Sequence, residues 1–317
     1  MSNLIFFGTP DFAVPSLQAL YEFCQKKGDR LLGVVCQPDK AADRGQKLHA
    51  PAIKTLAEQL GLTVWQPEKM TPEFIDWFLS QNVDLAVVVA YGKILPKRLL
   101  DASRLGFVNV HGSLLPRWRG AAPIQRAVEA GDGETGVCIM NLVPEMDAGE
   151  VYLTAKTPIG VQETSGELFE RLAPFGADAL IQALPGILNG TLGKIPQPEA
   201  GVTHAPKVRK DEALIDWTLS AAKLVNHCRA MDPWPGSYSH YQGKKLRLFG
   251  GESLDPGSVA GMTAGAAGQI LMLGDRLVIA VRDGAVAFSE AQLEGRRRMP
   301  IRDLMNGFEM QVSEYLC

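Results

Sequence analysis

Leu4-Ile5-Phe6-Phe7-Gly8-Thr9-Pro10-Asp11 is a short apolar run that breaks at a glycine and meets an acidic residue where an amphipathic segment begins. Four large apolar residues in succession, without polar alternation, suit a strand buried on both faces. Asp11–Lys27 then carries apolar residues at three- and four-residue spacing, so the local reading is strand, turn, helix. The pattern repeats outward. Leu31–Cys36, Asp84–Ala90 and Phe107–His111 read as further short strands, and Ala50–Leu60 and Pro72–Gln81 as helices. Such alternation predicts an α/β fold, a doubly wound, mostly parallel, Rossmann-like sheet with helices on both faces. The first turn lacks the second glycine of a dinucleotide fingerprint, and Asp11 would repel an anion, so nicotinamide chemistry is disfavoured.

Farther along, Thr135–Val143 and Val151–Ala155 read as strands, and Glu163–Leu188 as a helix interrupted at Pro174. The pattern dissolves into Gly, Pro and Thr from Asn189 to Arg209, the composition of a linker. Ser220–Met231 follows as a helix. Short alternating runs then come between the turn pairs Gln242-Gly243, Gly274-Asp275 and Asp283-Gly284. Hairpins of this kind predict a small β-barrel, the five-stranded oligonucleotide-binding type being the commonest. The expected organisation is therefore a catalytic domain at 1–189, a linker at 190–208 and a β-barrel domain at 209–317.

The 317 residues are 46% hydrophobic and 21% charged, which suits globular domains and excludes a disordered or fibrous chain. The formal net charge of −3 argues against a strongly basic coat for nucleic acid. Between Arg209 and the C-terminus, 13 Lys and Arg balance 13 Asp and Glu, so the deficit lies in residues 1–208. Cys24, Cys36, Cys138, Cys228 and Cys317 form no Cys-x-x-Cys pair and read as buried free thiols. The N-terminus has no signal-peptide pattern and no apolar run is long enough for a membrane span, so a cytoplasmic location is expected. With no coiled-coil pattern or long apolar surface stripe, a monomer is expected.

The densest chemistry lies in Phe107-Val-Asn109-Val-His111-Gly-Ser113-Leu114-Leu115-Pro116-Arg-Trp-Arg119-Gly120. On a strand, Asn109 and His111 share one face, and open α/β sheets bind ligands outside the carboxyl ends of their strands. An amide donor beside an imidazole suits oxyanion stabilisation and proton transfer. A lone Asn-x-His also reads as a packed core histidine beside a turn. Glu145-Met146-Asp147-Ala148-Gly149-Glu150 adds an acidic loop able to bring a carboxylate to the same sheet edge.

Those stretches, with Gly8–Ala13 and the block Asp232-Pro-Trp-Pro-Gly-Ser-Tyr238, resemble the folate-dependent formyltransferase family along nearly the whole chain. The resemblance implies Asn109, His111 and Asp147 as catalytic residues. It implies folate binding by Ser113, Leu114, Leu115 and Pro116, and by backbone around Val88, Val89, Ala90, Tyr91 and Ile94. The Trp-Pro-Gly block favours the tRNA-modifying branch. Its reaction moves a formyl group from 10-formyltetrahydrofolate, as cosubstrate and without a metal, to the α-amine of methionine on initiator tRNA. Family members carry a basic loop that enters the tRNA acceptor stem; here Lys40, Arg44 and Lys47 occupy it. On the barrel, the clusters Lys244, Lys245, Arg247 and Arg296, Arg297, Arg298 become candidate contacts for the tRNA backbone. The same three catalytic groups could also formylate an amino-sugar nucleotide or glycinamide ribonucleotide, or release formate to water. A non-catalytic RNA-binding protein is the reading from a different class.

Overall fold

A computed structural model describes residues 1–42, 47–255 and 266–317, with the backbone alone at 41, 42 and 47. Among them the chain forms two compact units. The first comprises Met1–Pro123, Glu134–Pro158 and Phe169–Pro206; the second comprises Ile124–Gly133, Ile159–Leu168 and Lys207–Cys317.

The elements of the first part of the chain are β1 (Asn3–Gly8), α1 (Val14–Lys27), β2 (Arg30–Val35), β3 (Lys40–Ala42), β4 (Lys47–His49), α2 (Ala52–Gln59), β5 (Val64–Trp65), α3 (Pro72–Ser80), β6 (Leu85–Val89), α4 (Lys97–Leu100) and β7 (Phe107–His111). They continue with β8 (Arg119–Gly120), α5 (Pro123–Ala130), β9 (Glu134–Asn141), β10 (Val151–Pro158), α6 (Ser165–Leu188) and β11 (His204–Ala205). Seven strands make one sheet in the order β10-β9-β7-β6-β1-β2-β5. The strands from β7 to β5 run parallel, and β9 is antiparallel to both its neighbours. β1 and β6 are buried along almost their whole length, which explains their unbroken apolar composition. Phe7, Phe78, Tyr91 and Phe107 pack together beneath the middle of the sheet, Phe7 meeting Tyr91 edge-on at 5.4 Å between ring centroids. Helix ends follow local chemistry: Gly28 closes α1 at φ 74°, and the Thr71 hydroxyl accepts from the Phe74 N–H at the start of α3.

Two expectations change here. Helix α6 runs unbroken for 24 residues through both Pro174 and Pro185. Each proline removes one backbone hydrogen bond, but Leu168, Leu172, Leu180 and Leu184 keep one face fully buried, and that burial outweighs the breaks. The segment read as a linker, 190–208, is hydrogen-bonded at two places: Ile195 exchanges two 2.9 Å backbone hydrogen bonds with Val151, and β11 pairs in parallel with β8. In the basic segment after β2, the described residues of β3 and β4 pair antiparallel.

In the second unit, α7 (Ala221–Ala230) is followed by β12 (Tyr238–Tyr241), β13 (Lys244–Phe249), β14 (Glu252–Leu254), β15 (Ile270–Met272), β16 (Leu277–Val281), β17 (Gly284–Phe288), β18 (Glu290–Leu293), β19 (Met299–Pro300) and α8 (Ile301–Met305). The strands form two four-stranded antiparallel sheets, β12-β13-β18-β19 and β14-β17-β16-β15. β13 runs into β14 at Gly250-Gly251 and β17 into β18 at Ser289, so two long strands bend from one sheet to the other, the device that turns a barrel corner. Counted as bent strands, they leave, among the described residues, five strands and the two-residue β19 around a core of Trp217, Tyr241, Leu248, Ile279 and Phe288. Gln242 and Gly243, at φ 49° and 76°, make the expected tight hairpin between β12 and β13. The α5 and 159–168 segments, read from sequence within 1–189, belong to this unit through ion pairs and hydrogen bonds. Arg126 bonds Glu212 at 2.7 Å, and the Arg229 guanidinium donates to the carbonyls of Gly160 and Glu163 at 3.0 Å.

Candidate active site

The site is built outward from the carboxyl end of β7. Phe107 enters the aromatic cluster, and two residues on, along the same face, come Asn109 and then His111. His111 is only 5% exposed. Its Nε2 lies 3.0 Å from the carbonyl oxygen of Trp118. A carbonyl can only accept, so Nε2 carries the proton, and in the neutral ring Nδ1 presents a lone pair. Nδ1 lies 3.7 Å from Oδ2 of Asp147, beyond direct hydrogen-bond length but within bridging distance of a water or an amine. The Asn109 amide is half-buried and has no hydrogen-bond partner among the described residues, which leaves its donors available.

Asp147 arrives from the far end of the sheet. Strand β9 ends at Asn141, which pairs with Val108, three residues before His111 in β7. The 142–150 loop must therefore double back by about 10 Å, at 3.4 Å per residue, to bring the carboxylate to the imidazole. Asp147 sits at φ 49°, a left-handed conformation uncommon outside glycine, and its Oδ2 accepts from the Gly120 N–H at 2.8 Å. Gly149 packs so tightly on the strand end that an added Cβ would lie 1.8 Å from the Asn141 carbonyl.

The other expected positions are arranged unevenly. Ser113 is fully buried and spends its hydroxyl on the Arg117 carbonyl at 2.7 Å, so it shapes the loop while Leu114, Leu115 and Pro116 are partly exposed. Val88, Val89 and Tyr91 are buried, and Ala90 and Ile94 are exposed, Ile94 to 84%. Burial pushes the Tyr91 phenol up, and the phenol oxygen has no hydrogen-bond partner among the described residues. Lys40 is exposed and donates to Gln37; Arg44 lies outside the described residues, as does the side chain of Lys47. On the barrel, Lys244 is exposed, Lys245 lies over the Tyr238 ring at 3.4 Å, and Arg247 is half-buried against Gln292. Arg296 and Arg297 are exposed. Arg298 is held by Asp232 at 2.8 Å and Glu290 at 2.6 Å and stacks on Phe249, so much of its charge is engaged within the unit. Four cysteines are buried as expected, burial pushing Cys24 up to about 12 and Cys36 up to about 11, but Cys317 is exposed.

Four groups at the site escaped the sequence reading: the Trp118 carbonyl, the Gly120 N–H, Thr203 and Gln197. Thr203 Oγ1 accepts from the Trp118 N–H at 2.9 Å, and Gln197 reaches both Arg119 and the Asp147 loop. Backbone groups carry no residue-type signature, and the other two lie far along the chain from their partners, Thr203 85 residues from Trp118 and Gln197 78 from Arg119 and 50 from Asp147, in what reads as a linker.

The family comparisons agree with this architecture. Residues 2–184 match the model for the formyl transferase family, and residues 207–309 match its C-terminal domain. The chain belongs to the formyl transferase family. Within it, the chain is 43% identical over 316 residues to the methionyl-tRNA formyltransferase of Symbiobacterium thermophilum, covering 98% of this chain and 94% of the relative. It is 44% identical over 308 residues to the methionyl-tRNA formyltransferase of Alcanivorax borkumensis, covering 96% and 91%. In fold it resembles the N-formyltransferase of Helicobacter canadensis, solved with folinic acid and dTDP-3-aminofucose, at a TM-score of 0.67 and 17% identity over 92% of this chain and all of that one. HypX of Aquifex aeolicus, solved with tetrahydrofolic acid, aligns at 0.62 and 17% over 99% of this chain, which spans about half the HypX chain (51%).

Proposed function

We propose that this protein transfers the formyl group of 10-formyltetrahydrofolate to the α-amino group of methionine on initiator tRNA, as a methionyl-tRNA formyltransferase. The observation that carries the reading is the gathering of Asn109, His111 and Asp147 in a chain more than 40% identical to two methionyl-tRNA formyltransferases across both domains. Identity of that order, extending through the C-terminal domain, favours tRNA over the sugar nucleotides of the more distant structures.

The methionine amine needs little activation, since an α-amino group has a pKa of about 8 and keeps a neutral fraction at pH 7. Its attack forms a C–N bond and leaves an oxyanion and an ammonium on one tetrahedral centre. Asn109 donates to the oxyanion. His111 Nδ1, its tautomer set by the Trp118 carbonyl, takes a proton from the ammonium. Asp147 holds the bridging water or amine across the 3.7 Å gap. The proton is then delivered to the folate nitrogen as the bond from that nitrogen to the formyl carbon breaks.

In this reading the 113–116 loop and the turn after β6 hold the folate. Lys40, Arg44 and Lys47 meet the acceptor stem, and Lys244, Lys245, Arg247 and Arg296–Arg298 contact tRNA phosphates. Residues 1–189 supply the chemistry, 209–317 supply RNA binding, and the enzyme works as a cytoplasmic monomer. The test is incubation with 10-formyltetrahydrofolate and methionylated initiator tRNA, with an amino-sugar nucleotide, glycinamide ribonucleotide and water as competing acceptors. Formylmethionyl-tRNA is the expected product. Formate release alone, or formylation of another acceptor only, overturns the proposal.

A further inference from the structure

We infer that Gln197, in the segment between the domains, is a positioning residue that holds Asp147 against His111. The inference rests on the formylation reading above. The Gln197 amide is fully engaged. Its Nε2 donates to the carbonyls of Asp147 at 2.8 Å and Gly149 at 2.7 Å, and its Oε1 accepts from Arg119 Nε at 3.0 Å and Nη2 at 2.7 Å. One side chain thus ties together the two loops that must meet: the one carrying Asp147, and the one whose Gly120 N–H receives its carboxylate.

The need for such a tie follows from the topology. The 142–150 loop leaves β9 near the wrong end of β7 and returns with Asp147 in a left-handed conformation, which persists only when its surroundings over-determine it. The Gly120 N–H fixes the carboxylate, and Gln197 fixes the backbone on both sides of Ala148. Gln197 is itself anchored. Ile195, two residues earlier, bridges to Val151, and Pro196 and Pro198 flank it, restricting its backbone to extended conformations.

The experiment is a double-mutant cycle with Gln197→Ala in wild-type and Asp147→Asn backgrounds, read as kcat and KM for methionyl-tRNA and for 10-formyltetrahydrofolate. Gln197→Ala is expected to lower kcat roughly 10- to 100-fold, as misplacement of a reacting group by about 1 Å does, with both KM values within about twofold. In Asp147→Asn the same change is expected to cost less than about twofold, because there is no carboxylate left to position. Gln197→Glu keeps the acceptor for Arg119 but turns an oxygen toward two carbonyls, and is expected to be at least as harmful as alanine. Deuterium exchange supplies a readout independent of activity: amides at 145–150 and 119–121 exchange faster in Gln197→Ala while β1 and β6 are unchanged. Equal cost in both backgrounds, an unchanged kcat, or unchanged exchange at 145–150 each overturns the inference. If the wild type formylates no methionyl-tRNA, the proposed function fails, and the exchange measurement still decides what Gln197 holds.

Discussion

Two stretches of the first unit, Phe107–Gly120 and Ile195–Ala205, serve one site and differ in how they do so. The first carries side chains that can take part in a reaction, Asn109 and His111, set at the end of a buried strand. The second bears on the site through support contacts. It contributes hydrogen bonds from Gln197, Thr203 and the β11 backbone that fix where the first stretch and the Asp147 loop lie. Reactive groups and the groups that aim them are thus separated in sequence, and they should fail differently when altered.

The largest effect should come from the first stretch. His111→Ala or Asn109→Ala should lower kcat by about 10²–10³-fold with little change in melting temperature, measured by steady-state formylation and thermal unfolding; activity within about threefold of wild type would sink the assignment. Gly120→Ala acts where the stretches touch. At φ 129° with a Cβ only 2.6 Å from the Ala205 carbonyl, it should cost about 2 kcal/mol in urea unfolding and also reduce kcat, because its N–H holds Asp147. Thr203→Val lies wholly in the supporting stretch. Losing the acceptor for the Trp118 N–H should cost about 1 kcal/mol of stability and a few-fold in kcat, with KM unmoved in the same assay.

The smallest effect comes from a control outside the comparison. In the second unit, the hydrogen bond from His227, aided by Arg126, holds the Glu129 carboxyl below the usual range. A depressed carboxylate stabilises the fold above its unfolded pKa, and that contribution is lost as pH falls through the folded value. Glu129→Gln should therefore melt about 1–2 °C below wild type at pH 7, the gap closing below about pH 4, with kcat unchanged. A kcat loss as large as that of Thr203→Val would break the distinction between supporting residues near the site and those remote from it.

Much of this was legible in the chain, for identifiable reasons. Buried parallel strands need continuous apolar runs, so β1, β2, β6 and β7 announce themselves in sequence. Asn109 and His111 share a face because strand side chains repeat every two residues. The misreadings have causes too. Pro174 reads as a helix break, yet tertiary burial carries α6 through it. Residues 190–208 read as a linker because proline-rich irregular chain carries no periodicity, although it is bonded onto the sheet and the site loop. Residue type also does not show that the Ser113 hydroxyl turns inward to the Arg117 carbonyl and shapes the 113–116 loop.

By itself, then, the sequence determined the strand–helix order, the barrel hairpins and the chemical types at the site, because periodicity, turn residues and reactive side chains are local properties. Only the tertiary structure decided that Asp147 returns along the sheet to His111, that the Trp118 carbonyl sets the imidazole tautomer, and that Gln197 clamps two loops. These are contacts between groups far apart in the chain. Most involve backbone atoms that every residue shares, so no local pattern encodes them.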